Sequence, residues 1–333
     1  MVDVIASCIP SPINSANMFY RPLATYAPRV YGLVWNSTNG PKGIQIAQRI
    51  LFLIFKRGLS ELISEAKPDL LISVYPFFNH VSIAIAKEMN MPVATVITDL
   101  ANVHRAWVCP EVDLCLVPTE QAREKALACG FFPGKVKVTG LPIGLKFAEQ
   151  PKRKGDLREK LGLRQDIPAV LVVGGGEGMG RVFEIARSIA AARLPAQLLV
   201  VAGHNRKLKR RLKAVSWEIP IKIFGFVTNM PELMHASDVI VTKAGPTTIC
   251  EALACGLPIV LSGAIPGQEE GNVDYVVKSG AGRWAPTREE VAATLEELLA
   301  PGSDVLARTG ENARRLARPE ATLEAARLIA DLC

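Results

Sequence analysis

A turn between a strand and a helix is the clearest sign of an anion-binding site in this sequence. Residues 240–242 close an apolar strand, the run Lys243-Ala-Gly-Pro-Thr-Thr248 forms the turn, and residues 249–255 continue as a helix ended by Gly256. The free backbone N–H groups and the positive dipole end of that helix point at whatever occupies the turn, which favours a phosphate. Glu251 follows about one helical turn later, where a carboxylate can accept hydrogen bonds from a ribose diol beside a diphosphate.

A polar loop follows the next strand, which is predicted at 258–262. The loop reads Gly267-Gln-Glu-Glu-Gly-Asn272, and its amide and carboxylate groups at Gln268, Glu269 and Asn272 have no metal-ligand spacing. Side chains of this kind suit the hydroxyl groups of a sugar. The loop therefore predicts a carbohydrate subsite, with neither a metal nor a cofactor.

A glycine cluster lies between an apolar strand at 169–173 and a helix that runs to residue 192. Glycines here allow a close backbone approach to an anion, and they are Gly174, Gly175, Gly176, Gly178 and Gly180. No register of the cluster gives G-x-G-x-x-G, and no Gly-Lys-Ser/Thr follows. The next strand ends in Gly203-His204-Asn205, without the acidic residue that would hold an NAD ribose. The pattern argues against a dehydrogenase and against a P-loop ATPase.

Two titratable residues follow the strand predicted at 92–98. Asp99 stands at the carboxyl end of that strand, and His104 lies in the loop after it. Ligands of open α/β sheets bind beyond the carboxyl ends of the strands. Asp99 and His104 are therefore the candidate catalytic residues.

Strand and helix alternate along the chain, which predicts α/β domains with doubly wound sheets. A chain of 333 residues is longer than one typical core, so two domains of about 150 residues are expected. The charge-rich stretch at 147–168 is the predicted linker, between a first domain at 1–146 and a second domain at 169–318. We expect the last helix, within 319–333, to pack back on the first domain.

Composition limits the compartment and the partners. The seven cysteines lack C-x-x-C spacing, which indicates reduced thiols and a cytoplasmic protein. The N-terminus lacks the pattern of a signal peptide, and no apolar run reaches the ~18 residues that cross a bilayer. The net charge of +7 fits a nucleic acid, an anionic membrane or a phosphorylated ligand. No nucleic-acid-binding motif accompanies the charge, so a nucleic-acid partner is not expected.

Three further stretches bear on membrane contact. A long helix is predicted at 42–66, and its centre at 50–55 is apolar on all sides between basic residues, which fits a buried helix or one at a membrane interface. The buried interpretation is preferred. The aromatic residues at 19–35 lie in a predicted loop. The basic residues of the helix at 206–213 are interpreted first as a solvated face, and the alternative is that they contact phospholipid headgroups or a domain cleft.

Several of these motifs together resemble one family of glycosyltransferases. The sequence is similar to the monogalactosyldiacylglycerol synthase and processive diacylglycerol glucosyltransferase group of glycosyltransferase family 28, and the likeness covers nearly the whole chain. The matching runs are Thr98-Asp99, His104-Arg-Ala-Trp107, Val117-Pro-Thr119, Thr139-Gly-Leu-Pro142, Lys243-Ala-Gly-Pro-Thr-Thr-Ile-Cys-Glu-Ala252, Gly256-Leu-Pro258 and Ile265-Pro-Gly-Gln-Glu-Glu-Gly-Asn272. Cell-wall lipid II N-acetylglucosaminyltransferases share the donor-site pattern but match the first half less well.

The resemblance implies a GT-B fold, in which two Rossmann-like domains face a cleft. It implies transfer of a hexose, galactose or glucose, from a UDP-sugar to diacylglycerol with inversion, by an enzyme peripherally associated with an anionic membrane surface. Phe226 and Val227 would hold the uracil edge, Glu251 the ribose, and Gln268 and Glu269 the hexose. The remaining implied donor residues surround the diphosphate or the cleft: Gly174, Gly175, Gly176, Gly178, His204, Asn205, Gly245, Pro246, Thr247, Thr248 and Asn272.

The chain departs from the family pattern at two places. Thr247 stands where the family usually has Gly, so its hydroxyl either adds a phosphate contact or crowds the site. The family also opens with a strand and a Gly-rich loop ending in a His regarded as the general base, whereas this chain starts at what resembles the second strand. The first domain is therefore expected to lack that strand and loop, with Asp99 or His104 as the base.

Two alternatives stay open at this point. The protein could transfer N-acetylglucosamine from its UDP derivative to a polyprenyl-linked acceptor. It could also bind UDP-sugars without catalysis, because the loop that carries the family base is missing.

Overall fold

The computed structural model describes residues 27–149, 153–176, 178 and 180–333. They divide into two compact units. The first unit contains residues up to 142 together with 265–271 and 320–333, and the second contains 143–264 and 272–319. The strand predicted near residue 5 and the aromatic residues at 19–26 lie outside the described residues.

The first unit is built on a parallel sheet whose strand order is β1-β2-β3-β4. Its strands are β1 Leu71–Ser73, β2 Val93–Val96, β3 Leu114–Val117 and β4 Val136–Val138. Its helices, before the final one, are α1 Pro28–Thr38, α2 Pro41–Ala66, α3 Pro76–Glu88 and α4 Glu120–Ala128. Every residue of β2 and β3 is buried, as expected of parallel strands covered on both faces.

The second unit is built on a six-stranded parallel sheet with the order β10-β9-β8-β5-β6-β7. The strands are β5 Ala169–Val173, β6 Gln197–Val201, β7 Ile221–Phe224, β8 Val239–Thr242, β9 Ile259–Leu261 and β10 Gly282–Trp284. The helices are α5 Lys154–Lys160, α6 Val182–Ala191, α7 Arg206–Lys213, α8 Met230–Ala236, α9 Pro246–Ala254, α10 Glu270–Lys278, α11 Arg288–Leu298 and α12 Val305–Leu316.

The core of the second unit explains why the apolar runs become central strands. Val172 of β5, Val200 of β6 and Val241 of β8 are buried in one cluster with helix residues such as Ile189 and Leu295. Alternation of strand and helix along the chain therefore builds parallel sheets covered on both faces. The predicted α/β class with wound sheets is confirmed in both units.

The segment at 28–35 differs from its prediction, because it is helical where the sequence predicts a loop. Pro28 occupies the first turn of α1, where its missing N–H costs no hydrogen bond. Tyr31 and Trp35 are four residues apart and therefore share one face of that helix. The predicted long helix is α2, which spans Pro41–Ala66.

The final helix, α13 Ala321–Ala330, belongs to the first unit. Ala325 is buried against Val96 and Leu116, and Leu328 and Ile329 pack on the same cluster. None of the helices among the described residues combines the length and the hydropathy of a bilayer-spanning segment.

Candidate active site

The predicted strand–turn–helix lies at the carboxyl end of β8 in the second unit. β8 ends at Thr242, and α9 begins at Pro246 after Gly245, whose extended backbone occupies the N-cap position. Pro246 has no N–H group, so Thr247 and Thr248 supply the first N–H donors of the helix, and these have no acceptor within the helix. Among the described residues no side chain caps this end. It is therefore able to donate hydrogen bonds to a phosphate.

A cavity of the second unit brings six of the predicted donor residues together. They are Gly175, Gly176, Phe226, Val227, Thr248 and Glu251. Val173 and Val201, the last residues of β5 and β6, also line the cavity, which places it at the carboxyl ends of the strands. Burial raises the pKa of the Glu251 carboxyl to about 7. At neutral pH this carboxyl is therefore ionised in about half of the molecules.

The glycine turn beside this cavity packs directly on the loop after β6. Gly203 has a φ of +56°, and a Cβ atom there would lie 2.1 Å from the Gly176 carbonyl oxygen. The His204 N–H donates to that same carbonyl at 2.8 Å, and the Asn205 amide donates to the Gly178 carbonyl at 3.4 Å. Only glycine at position 203 permits this close contact between the two loops. Gly174 is buried directly after β5.

His204 and Phe226 form an exposed aromatic pair in the second unit. Their rings stack with centroids 4.1 Å apart and an interplanar angle of 18°, and Phe226 is 57% exposed. Such a surface can support a planar base. Asn205 has a local role as well, because its side-chain oxygen accepts the Leu208 N–H at 2.8 Å and caps α7.

Asp99 lies in the first unit, just beyond the end of β2, and is 8% exposed. One of its carboxylate oxygens accepts the Trp107 indole N–H at 2.8 Å and the His104 backbone N–H at 3.3 Å. Burial raises the pKa of Asp99 to about 6, and the hydrogen bonds from Trp107, His104 and Gln268 oppose that rise. At neutral pH most Asp99 carboxyls are therefore ionised and able to accept a proton.

His104 is buried beside Asp99, but both of its ring nitrogens are already engaged. Nδ1 accepts the Ala106 N–H at 3.0 Å, and Nε2 lies 3.3 Å from the Trp35 carbonyl oxygen and 3.2 Å from Thr38 Oγ1. A carbonyl oxygen only accepts hydrogen bonds, so Nε2 carries the proton. Burial lowers the pKa of His104, in keeping with a neutral ring. These contacts suit a residue that holds α1 in place, and they leave Asp99 as the stronger candidate for the base.

The polar loop is grouped with the first unit from Ile265 to Gly271, whereas the sequence division places it in the second domain. The reason lies in its contacts with the first unit. The Tyr31 hydroxyl donates to Gln268 Oε1 at 2.8 Å, and the Asn102 amide donates to the Gly267 carbonyl at 3.0 Å.

The two other predicted residues of the loop are buried. Glu269 is 3% exposed, and its carboxylate accepts the Ile265 N–H at 3.0 Å, which closes the turn. Asn272, at 2% exposure, belongs to the second unit, where its amide donates to the Ala244 carbonyl at 2.9 Å. Its Oδ1 is buried without a hydrogen-bond partner among the described residues. Asn272 therefore supports the turn that precedes α9.

Sequence reasoning connects Tyr31 and Trp35 only with membrane contact, as part of the aromatic stretch at 19–35, and assigns no role to Asn102, although all three touch the polar loop. The helical spacing of four residues between Tyr31 and Trp35 is the signal that could have identified them. It was missed because a loop is predicted for this stretch. Within the part of the chain that the structure describes, no group of three or more His, Cys, Asp or Glu residues is arranged to hold a metal ion.

Two family models match the chain. Residues 1–143 match the model described as monogalactosyldiacylglycerol (MGDG) synthase, and residues 169–328 match the glycosyltransferase family 28 C-terminal domain. The second match covers the turn, the glycine loop and Glu251, and the first covers Asp99 and His104.

Curated plant proteins are similar to the chain over nearly its whole length. It is 37% identical over 333 residues to monogalactosyldiacylglycerol synthase 2, chloroplastic, of Arabidopsis thaliana, covering 96% of this chain and 71% of that protein. It is 35% identical over 339 residues to a probable monogalactosyldiacylglycerol synthase of Glycine max, covering 97% of the chain and 63% of that protein. For a probable synthase 3 of Oryza sativa subsp. japonica the identity is 41%, with 96% and 65% covered. The chain thus spans less than two thirds of the soybean and rice proteins.

Solved structures share the fold at low identity. The Acinetobacter baumannii MurG structure aligns with a TM-score of 0.62 and 19% identity over 84% of this chain and 78% of that one. The S. aureus MnaA–UDP co-structure aligns with a TM-score of 0.62 and 17% identity, over 87% and 82% of the two chains. At these identities the likeness concerns the fold alone, and it places the two wound units in the GT-B class.

Proposed function

Because the chain belongs to the monogalactosyldiacylglycerol synthase group of glycosyltransferase family 28, we propose that it transfers galactose from UDP-galactose to the free hydroxyl of diacylglycerol. The observation that carries the proposal is the cavity at the carboxyl ends of β5 and β6, where glycine backbone, α9 and Glu251 meet. The choice of galactose and diacylglycerol is supported by the names of the relatives. The product is a glycolipid in which the anomeric configuration of the sugar is inverted.

The second unit would hold the nucleotide. The ribose hydroxyls donate to the Glu251 carboxylate, and the exposed Phe226 ring and the Val227 backbone receive the base. When the bond from the anomeric carbon to the phosphate oxygen breaks, the diphosphate gains negative charge. The Thr247 and Thr248 N–H groups at the start of α9 and the glycine turn would stabilise that charge. Gln268 and Glu269 are the proposed contacts of the hexose.

The first unit would supply the base. The acceptor oxygen attacks the anomeric carbon from the face opposite the diphosphate, and its proton passes to the Asp99 carboxylate. The new C–O bond forms as the bond to UDP breaks, so atoms and charge balance without a covalent enzyme intermediate. A carboxyl with a pKa of about 6 is ionised at neutral pH and still basic enough to assist.

Membrane docking is proposed for an apolar stripe on α2, because the acceptor is a membrane lipid. Ile46, Ile50, Leu53 and Ile54 follow helical spacing and are 46–81% exposed, whereas Phe55 and Leu59 on the other side are buried. The preferred prediction of a buried helix therefore holds for only one face. Exposed basic residues of the same helix, Lys42 and Arg49, suit anionic headgroups.

Leu53→Glu tests this docking surface. We expect roughly a tenfold or greater loss of binding to vesicles that contain anionic phospholipid and diacylglycerol, because a fully buried Leu side chain contributes about 1.5–3 kcal/mol. Leu323→Glu, on the exposed side of α13, is the matched control. Equal binding of both variants in a vesicle flotation assay contradicts the proposal.

The transfer itself is tested with three donors. Diacylglycerol vesicles are mixed with the protein and UDP-galactose, UDP-glucose or UDP-N-acetylglucosamine, and the lipid product is measured. Galactolipid formation with UDP-galactose at the highest kcat/KM supports the proposal. A preference for either of the other donors, or tight UDP binding without transfer from any of them, overturns it.

Glu251→Gln locates the nucleotide in the same experiment. Calorimetry should show a loss of UDP affinity of roughly 10- to 100-fold, since hydrogen bonds to a charged group contribute about 1.5–3 kcal/mol. Glu296→Gln removes an exposed carboxylate from α11 of the same unit and is expected to leave the affinity unchanged. Unchanged affinity in Glu251→Gln would place the nucleotide elsewhere.

A further inference from the structure

The backbone of His204 is attached to the glycine turn. Its N–H donates to the Gly176 carbonyl at 2.8 Å, and the preceding Gly203 has the left-handed φ of +56° that this close approach needs. A Cβ atom at Gly178 would lie 2.2 Å from the Ala202 carbonyl oxygen, so the turn and the loop after β6 leave no space between them. The His204 backbone therefore moves only if the glycine turn moves with it.

The helix that follows holds His204 from the other side. Asn205 caps α7, because its side-chain oxygen accepts the Leu208 N–H at 2.8 Å, and its amide donates to the Gly178 carbonyl at 3.4 Å. Leu212 fixes α7 in turn, since it is fully buried in the core of the second unit. His204 thus lies between two fixed elements, while its own side chain is exposed.

The His204 ring lies on the ring of Phe226, which comes two residues after the end of β7. The ring centroids are 4.1 Å apart, with an interplanar angle of 18°. Phe226 is 57% exposed, so His204 covers only part of its surface. Of these two residues, only Phe226 belongs to the described residues that line the cavity beside Glu251. The part of the Phe226 ring that faces the cavity is therefore left open to a ligand.

His204 touches two walls of that cavity without lining it. Its N–H holds Gly176, and its ring holds Phe226, and both of these residues line the cavity. An exposed side chain samples several rotamers unless a neighbour restricts it. A stacked aromatic pair favours its own arrangement by about two- to tenfold, so His204 restricts the Phe226 ring.

We infer that His204 is a positioning residue for the nucleotide, because its ring holds the Phe226 ring in place for the base while its backbone connects that ring to the glycine turn. The inference rests on the proposed function, in which Phe226 receives the base and the glycine turn stabilises the diphosphate. The places for the base and the diphosphate are then held at a fixed separation before the UDP-sugar arrives, which lowers the cost of ordering them on binding. His204 acts through Phe226 and does not contact the base itself.

The ring stack is tested first, in the free protein. The chain has four histidines, and the ring proton resonances of His204 in the ¹³C-labelled full-length protein are assigned with His204→Ala. Protons over the face of an aromatic ring resonate upfield, so the His204 signals should move downfield in Phe226→Leu. Signals that stay in place would mean that the two rings do not stack in solution, which overturns the inference.

Calorimetry with uridine and with UDP tests the role in binding. In His204→Ala both affinities should fall by roughly three- to tenfold, the contribution of one aromatic pair. The ratio of the two affinities should equal that of the parent, because the backbone N–H that holds Gly176 is kept. His204→Phe retains a flat ring and should restore both affinities, whereas His204→Leu should not. Val215→Ala, at an exposed position just beyond α7, is the control and should bind both ligands like the parent.

A double variant separates positioning from direct contact with the base. Phe226→Leu should weaken both ligands at least as much as His204→Ala, and His204→Ala should add nothing further in that background. In transfer kinetics, His204→Ala should raise the KM for UDP-galactose by about three- to tenfold and leave kcat unchanged. The reason is that the base is held equally in the ground state and in the transition state.

The outcomes separate the inference from the proposed function. Unchanged uridine affinity in His204→Ala, equal losses in His204→Phe and His204→Leu, or additive losses in the double variant overturn the inference even when the parent transfers galactose. The expected uridine and UDP affinities in a protein that transfers no sugar support the inference and overturn the proposed reaction. A parent that binds neither ligand overturns both. If His204→Ala does not fold, the comparison of His204→Phe with His204→Leu decides.

Discussion

The cavity beside Glu251 in the second unit and the Asp99 cluster in the first unit are assembled differently. Residues at and just beyond the ends of β5 and β6 line the cavity together with Thr248 and Glu251 of α9, and three of them are glycines, Gly175, Gly176 and Gly203. In the Asp99 cluster, the carboxylate accepts hydrogen bonds from the Trp107 indole and the His104 backbone N–H. The His104 ring in turn contacts Thr38 and the Trp35 carbonyl of α1. The cavity gathers the ends of strands that are neighbours in one sheet, whereas the surroundings of Asp99 depend on α1, more than 60 residues away along the chain.

The carboxyls of Glu251 and Asp99 also differ. Burial alone raises the pKa of Glu251 to about 7. For Asp99 burial is opposed by three hydrogen bonds, and its pKa is raised only to about 6. The Asp99 cluster is therefore organised by the protein itself, while Glu251 is suited to hydrogen bonds that a ligand would bring. This contrast agrees with the proposed roles, in which the first unit supplies the base and the second binds the nucleotide.

Asp99→Asn should give the largest effect and divide the two regions most clearly. The substitution keeps the shape of the side chain but removes the proton acceptor, so kcat should fall by about 10²- to 10⁴-fold. UDP affinity, which the proposed function assigns to the second unit, should stay unchanged in calorimetry. Asp331→Asn at the end of α13 is the control, with the kcat of the parent. A kcat within tenfold of the parent value would exclude Asp99 as the base.

Gly203→Ala should act on the glycine turn beside the cavity of the second unit. In contrast to Asp99→Asn, it should weaken UDP binding. The new methyl group would lie 2.1 Å from the Gly176 carbonyl oxygen at a φ of +56°, so the glycine turn must move. We expect UDP affinity to fall by roughly tenfold or more and stability to fall by about 1–3 kcal/mol. Both are measured on the purified variant, by calorimetry and by denaturant unfolding.

Gly302→Ala is a matched control for that backbone effect. Gly302 shares the left-handed conformation, with a φ of +78°, but its Cβ would meet no described atom within 4 Å. It should lose about 1 kcal/mol of stability and none of the UDP affinity. If both variants weaken UDP binding equally, the contact between the two loops is not what shapes the nucleotide site.

The same contrast explains how much the sequence could predict. The wound sheets are predictable because buried parallel strands such as Ala169–Val173 are apolar at every position. The turn before α9 is predictable because strand, glycine, proline and helix follow one another locally. The sequence also identifies Asp99 from its place after a strand, but not its partners.

What the sequence could not predict depends on long-range packing. The helical spacing of Tyr31 and Trp35 matters because both side chains contact the polar loop, which lies more than 230 residues further along the chain. His104 shows the same limit, because its residue type suggests acid–base chemistry while its contacts with Ala106 and Trp35 occupy both ring nitrogens. For α2, composition could not tell which face of the helix would be covered.

Besides its expected loss of UDP affinity, Glu251→Gln should show a smaller effect on stability. An acid whose pKa is about 7 in the folded state and ordinarily 4.5 loses its proton more readily when the protein unfolds. The folded state is therefore penalised as the pH rises from about 4.5 through 7, and below 4.5 the penalty vanishes. A shift of this size corresponds to about 3.4 kcal/mol. The partial exposure of the group reduces this destabilisation to about 1–3 kcal/mol.

Glutamine removes that penalty, so Glu251→Gln should be more stable than the parent at pH 8 and equally stable at pH 4.5, in denaturant unfolding at both pH values. Glu296→Gln, an exposed carboxylate of the same unit, should follow the parent throughout. A variant that gains stability at pH 8 while losing UDP affinity would show that the Glu251 carboxylate destabilises the folded protein but is needed to bind UDP. A variant less stable than the parent at pH 8 would mean that the carboxylate is satisfied within the protein. Glu251 would then resemble Asp99, and the contrast between the two regions would fail.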